Sequence, residues 1–123
     1  MSIAEVHGNL GNTALFFTIA MAVWGLWRYF RRQGPDSNYW GALVIAEVLY
    51  LVQAGLGLFA FLSGAGELAR PYIHILYGIV AVLVVPGVFI YSHGDDQRRT
   101  SLYYAIAFLF LVGIILRSKA TGV

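Results

Sequence analysis

The sequence predicts an all-α integral membrane protein, one four-transmembrane-helix bundle, on three observations. Of its 123 residues, 59% are hydrophobic and 11% charged; a soluble domain carries roughly 25% charged residues. The apolar residues gather into four runs of near-spanning length. Short turns rich in glycine, proline, aspartate and arginine separate the runs. With a mean hydropathy of +0.73, lipid has to be the solvent for much of the surface. A chain this short is one domain, 1–123.

The first run covers Gly11–Tyr29 and is expected to be helical from near Glu5 to residue 30. No basic stretch precedes it and no cleavage site follows, so it reads as an anchor that stays and not as a removable signal peptide. Gly34 and Pro35 should stop this helix, and Asp36, Ser37 or Asn38 should cap the second, expected over 39–62. Ser63-Gly64-Ala65-Gly66 ends the second. Pro71 suits the first turn of the third, expected over 71–91. Pro86 lies inside that run and should kink it without breaking it. Ser92-His93-Gly94-Asp95-Asp96 ends the third, and Thr100 or Ser101 should cap the fourth. Hydrocarbon about 30 Å thick needs about 20 helical residues, with a range near 17–25. The first three runs meet this. The fourth, Leu102–Leu116, reaches it only if it starts at Thr100, giving an expected span of 100–117 and the weakest member.

Composition also excludes functions. The chain has no cysteine, which removes disulfides, thiolate metal sites, c-type haem attachment and cysteine nucleophiles. The net charge is +2 and the pI about 9.1, too little and too scattered for a nucleic-acid patch. No phosphate loop and no His-Glu-x-x-His zinc motif is present. The first and third loops hold Arg28, Arg31, Arg32, Arg98 and Arg99, against Arg70, Arg117 and Lys119 on the other side. This bias places the arginine-rich loops in the cytoplasm and both termini outside. A prokaryotic plasma membrane is the expected location.

His7 begins the first helix and His74 the third, so both lie at the outer end. From His7 to Arg28 is about 32 Å of helix, and from His74 to Tyr91 about 26 Å. Two imidazoles at one level on non-consecutive helices can ligate a haem iron from both faces. Either histidine alone is better read as a polar residue near the headgroups. Small-residue stripes run beneath the pair: Gly11, Ala14, Thr18, Met21 or Ala22 and Gly25 below His7, and Gly78, Ala81 and Val85 below His74. The second helix presents Ala46, Tyr50, Gln53, Gly57, Ala60 and Gly64. Such stripes leave room for a flat macrocycle; more commonly they let helices pack closely with no ligand. Arg70, Arg117 and Lys119 lie on the histidine side, where they can meet either haem propionates or lipid phosphate.

Glu47 lies in the second run, where an ionisable residue is costly and is a functional hypothesis by default. It is expected either to pair with an arginine of the first loop or to serve proton or quinone chemistry. Gln53 is deeper, and its ordinary role is an interhelical hydrogen bond. His93 with Asp95 and Asp96 has the composition of a divalent-metal cluster, but a solvated turn with helix-capping aspartates is the stronger reading. Trp24, Trp27, Tyr39 and Trp40 read as an interfacial aromatic belt.

From Gln53 the chain reads Gln-Ala-Gly-Leu-Gly, then a short outer loop, then Pro71-Tyr-Ile-His74-Ile-Leu-Tyr-Gly78. This resembles haem A synthase, the cytochrome oxidase assembly protein, in which a Gln-x-x-Leu-Gly helix precedes a helix bearing a haem-ligating histidine near its outer end. The first helix, from Glu5-Val6-His7, resembles the one that supplies the partner histidine. The likeness covers roughly residues 5–81. Haem A synthases have two four-helix halves, and this chain is long enough for one. The family places a glutamate three residues before the first histidine and an arginine after it; here Glu5 is two before His7 and Gly8 follows. The cysteine-bearing outer loop of many members is absent.

What the resemblance implies is therefore the simpler property, shared with small membrane cytochromes b, of one b-type haem between His7 and His74. Gly11, Gln53, Gly57 and Gly78 would lie around the ring and Arg70 would pair with a propionate. The expected function is electron transfer to or from a quinone or a partner protein, in a homo-oligomer or a larger respiratory or photosynthetic complex. The alternatives are a cofactor-free accessory subunit and a small ion-coupled transporter using Glu47.

Overall fold

The computed structural model describes residues 2–64 and 71–121. It contains four helices, α1 (Ile3–Phe30), α2 (Ser37–Leu62), α3 (Pro71–Tyr91) and α4 (Arg98–Thr121). All four are long and apolar enough to cross a membrane. The shortest, α3, has 21 residues, about 32 Å at 1.5 Å per residue. The expected order and number of helices are found.

The termini follow local chemistry. The Ser2 side chain accepts from the Glu5 N–H at 3.1 Å and starts α1 two residues before the expected point. Asp36 accepts from the Tyr39 N–H at 2.9 Å and caps α2, satisfying one of the donors a helix start leaves open. Gly34 does not terminate α1. The left-handed residue is Arg32, at φ 59°. The Gln33 N–H reaches back to the Arg28 carbonyl and the Arg32 N–H to the Tyr29 carbonyl, which is a Schellman closure. The same closure ends α3, with His93 at φ 55° and the Gly94 N–H on the Phe89 carbonyl. His93 is thus a helix terminator, and histidine is among the residues enriched in that conformation. Helix α3 runs through Pro86.

Helix α4 differs most from expectation. It has 24 residues and is well packed. Thr100 and Ser101 lie inside it, buried, and not at its cap. Asp95 lies just ahead of its start, accepting from the Gln97 N–H at 3.2 Å and from the Thr100 hydroxyl. The Ser101 hydroxyl donates to the Gln33 carbonyl at 2.7 Å, and the Arg98 Nε to the Tyr29 carbonyl at 2.8 Å. The start of α4 is thereby bound to the end of α1 and to the α1–α2 loop. Gly34 sits so close to the Asp96 carbonyl that a Cβ there would overlap it. This interlocking, and not helix termination, is what the glycine serves.

The Thr100 hydroxyl, the Gln97 N–H and the Arg99 guanidinium, in that order, hold the Asp95 carboxyl below its usual range. A depressed carboxyl stabilises the fold above its unfolded pKa, about 3.9. The contribution is lost as pH falls through the lower folded value. The melting temperature in detergent should therefore lose a small step below about pH 4. Asp95→Asn should lower the melt at pH 7 and flatten that step. An unchanged acid limb in Asp95→Asn would show that this carboxyl carries no linkage.

Neighbouring helices are antiparallel. Each packs against the two next to it around the ring α1–α2–α3–α4, leaving α1 diagonal to α3. The α1–α4 seam is the most extensive and the α2–α3 seam the least. The small-residue stripe of α1 is buried as read: Gly11, Ala14, Thr18, Met21, Ala22 and Gly25. Against it lie Tyr39, Leu43, Ala46 and Tyr50 of α2, and Tyr104, Phe108 and Leu111 of α4, with Val85 from α3. Tyr39 is fully buried, with its hydroxyl on the Met21 carbonyl at 3.3 Å and its ring against Trp24 at 4.9 Å. It belongs to the core and not to an interfacial belt. Trp27 is 59% exposed, as a belt residue should be.

The core fills only one half of the bundle's length. Among the described residues, nothing is buried in 3–10 of α1, 51–62 of α2, 71–84 of α3 or 112–120 of α4. These four segments form the same end, the one that carries His7 and His74.

Candidate functional site

The two histidines meet across the diagonal. Their ring centroids are 6.2 Å apart, with ring planes crossing at 75°. Helices α1 and α3 make no close backbone approach to each other, so the two imidazoles bridge a gap that the helices do not. Each begins its helix at the same end of the bundle, and the level expected from sequence is the level found.

Each ring is held by different groups. The Nδ1 of His74 lies 2.8 Å from the Ser118 carbonyl oxygen on α4. A carbonyl only accepts, so Nδ1 carries the proton and donates. In the neutral ring the lone pair is then on Nε2. From α2, the Gln53 amide donates to the His7 backbone carbonyl on α1 at 2.8 Å. The His7 ring lies against Gly57: a Cβ there would be 2.8 Å from the ring Cε1 and 3.2 Å from Nε2. Gly57 thus makes room for the histidine itself. Gly11 in turn makes room for the Gln53 amide, 3.1 Å from where its Cβ would be. Around Gly78 the space is open, with nothing within 4 Å of an added Cβ. Among the described residues, the Nδ1 of His7 and the Oε1 of Gln53 are buried without a hydrogen-bond partner.

Of the basic groups expected here, Lys119 is bonded to the Asn12 side chain. Arg117 lies on the last turns of α4 and is engaged by neighbouring groups. Arg70 lies outside the described residues. Sequence reasoning missed Ser118, because its contribution is a backbone carbonyl and carries no side-chain signature.

Glu47 is at the other end, in the packed half, and it does not pair with a loop arginine. Arg28 is taken by Asp36 at 3.2 Å and by the Gly34 carbonyl at 2.7 Å. Arg31 lies over the Trp27 ring, Arg98 over the Tyr29 ring, and Arg99 on Asp95. The Oε1 of Glu47 is buried and has no hydrogen-bond partner among the described residues.

No three or more His, Cys, Asp or Glu side chains come together as a metal-holding group among the described residues. A pair of imidazoles is short of the four ligands that a protein-held ion such as zinc takes. Two imidazoles do suffice when the ion arrives already held by a macrocycle.

A scan against protein-family models, a search of curated proteins and a search of solved structures each return no match to this chain. The likeness to haem A synthase therefore rests on the residues quoted for it.

Proposed function

We propose that this chain is a membrane protein that binds one b-type haem between His7 and His74, at the outer end of its bundle, and serves electron transfer. The observation that carries this reading is the imidazole pair on diagonal helices at 6.2 Å. Two imidazoles in line on one metal, each with a metal–nitrogen bond of about 2 Å, have ring centroids about 6 Å apart. The absence of tight packing at that end supplies a second support. Four helices that pack well at one end and not at the other leave apolar surface that a large flat group would cover.

When bound, haem supplies a one-electron couple at its iron. The chain's own residues would set that couple. The Ser118 carbonyl fixes the His74 tautomer and ring plane and raises the basicity of Nε2, as second-shell partners of ligating histidines do. Gln53 anchors the backbone of His7, and Gly57 lets its imidazole lie between α1 and α2.

The alternative of a cofactor-free subunit is favoured by α3. It has the highest mean hydropathy of the four, 2.5 over its most apolar window, and buries only Val85, so most of its surface faces lipid or a partner helix. A pyridine haemochrome spectrum of protein expressed with haem supplied and purified in mild detergent separates the two. The haem reading expects one haem b per chain and a Soret band. A colourless, folded protein eliminates it.

A further inference from the structure

We propose that the cleft between α2 and α3 at Glu47 binds the ring of a membrane-dissolved quinol. The cleft has a volume of about 590 Å³ and lies along the sparsest seam of the bundle, within the roughly 300–1,000 Å³ range of small-molecule sites. Trp40, Glu47, Val85, Pro86, Phe89 and Tyr104 line it. Its mouth, at Val44 and Ile90, is 64% and 72% exposed, on a surface that faces lipid if the helices span.

Three features select the occupant. Glu47 is the cleft's one carboxyl; its Oε1 is buried with no donor among the described residues, and a ligand in the cleft meets it when the carboxyl turns outward. Arg28, Arg31, Arg98 and Arg99 of the loops are engaged elsewhere. An unmet buried carboxyl oxygen is costly, and a lipid tail has no donor to offer. A ligand with an O–H does. Trp40 is edge-on to both Phe89 and Tyr104, at 6.0 and 5.9 Å, and such an aromatic wall suits a flat ring. Every other lining residue is apolar, which suits an apolar tail leading out to lipid. A quinol combines a flat ring, a hydroxyl donor and such a tail.

From Glu47 to Gly57, beside His7, is ten residues of α2, about 15 Å along the axis. The cleft is thus a separate site from the histidine pair, and binding there does not depend on haem.

The test is a titration of haem-free protein in micelles with an alkyl-tailed benzoquinol, read by quenching of tryptophan fluorescence. The expected result is saturable quenching at one site. Glu47→Leu should weaken it at least tenfold, and Glu47→Gln less, because its amide oxygen still accepts. Val44→Phe, which narrows the mouth and leaves Glu47 in place, should also weaken it, and it carries the test if Glu47→Leu misfolds by circular dichroism. Linear quenching equal in all variants would mean that the quinol only dissolves in the micelle, and would overturn the proposal. Displacement by a ringless alkyl alcohol of equal tail length at equal concentration would overturn it too, leaving the seam to lipid. Haem plays no part in this readout, so its outcome is separate from that of the haemochrome spectrum.

Discussion

His74→Ala should abolish the Soret band of the haem-loaded protein, and His7→Ala should abolish or shift it, while helicity and gel-filtration behaviour stay as they are. The expectation follows from where the two residues lie. Neither belongs to the buried core, which ends at Gly11 on α1 and at Val85 on α3, so removing either imidazole should spare the fold. Bound haem should fall more than tenfold in His74→Ala, and added imidazole should restore the native band in either variant by filling the vacated place. Gly57→Leu should act like His7→Ala without touching a ligand, because its side chain would enter the space held by the His7 ring, 2.8 Å from an added Cβ. Ser118→Ala should have little effect. The bond to His74 at 2.8 Å is made by the backbone carbonyl, and the hydroxyl lies farther away, at 3.4 Å. A structural role for the histidines predicts a different pattern: loss of thermal stability in both alanine variants and no response to imidazole. A band that persists unchanged in both variants would show that any haem sits elsewhere.

The site was legible where it depended on counting and illegible where it depended on backbone. Counting from the arginine-rich ends of α1 and α3 puts His7 and His74 at one level, because helical rise is fixed. Which helices lie diagonal, and hence that the two rings meet with no close approach of their helices, follows from the order of packing around the ring, which no spacing encodes. The Ser118 carbonyl was invisible for the same reason. Gly57 and Gly11 were read as space for a macrocycle, and they are space for His7 and for Gln53. A glycine records that something comes close without recording what.

The fold shows a parallel division. The α1 stripe was readable because small residues recur there at helical spacing with nothing polar to interrupt them beyond Thr18. That hydroxyl is satisfied by the Ala14 carbonyl at 2.6 Å and the Tyr50 hydroxyl at 2.5 Å. Helix α4 was underread at both ends. Arg98-Arg99-Thr100-Ser101 has the composition of a cap, yet Thr100 and Ser101 are buried, because Asp95 and the Gln33 carbonyl bond their hydroxyls. Arg117-Ser118-Lys119 resembles a solvated tail, yet it continues the helix far enough to bring Ser118 to His74 and Lys119 to Asn12. Polar residues at a helix end signal termination only when no neighbouring element satisfies them, and here other loops and helices do.

Gly25→Leu should produce a large loss of stability in the helix-packed part of the bundle. At this position α1 and α4 approach backbone to backbone. A Cβ on Gly25 would lie 3.1 Å from the Ala105 Cβ, 3.2 Å from its Cα and 2.9 Å from the Tyr39 hydroxyl. The tyrosine can swing aside at the expense of its bond to the Met21 carbonyl, but the Ala105 backbone cannot move without shifting α4. That seam is the most extensive in the molecule, and in lipid it is held by close packing, without a hydrophobic driving force between helices. Overpacking a tight site costs about 1–3 kcal/mol, occasionally more. The upper part of that range applies here, because a leucine adds four carbons where one does not fit. Gly25→Ala should be milder. Gly113→Leu, on α4 with nothing within 4 Å of an added Cβ, should be near neutral. Unfolding by denaturing detergent, followed by circular dichroism, ranks the three. Equal midpoints for Gly25→Leu and Gly113→Leu would mean that the α1–α4 approach does not limit stability. Gly25 is also 18 residues from His7, about 27 Å along α1. Whatever fraction of Gly25→Leu remains folded should therefore keep its haem band, whereas Gly57→Leu should keep its fold and lose the band. That reversal between two glycines of similar appearance in the sequence would assign stability to the packed end and the proposed ligand binding to the open one.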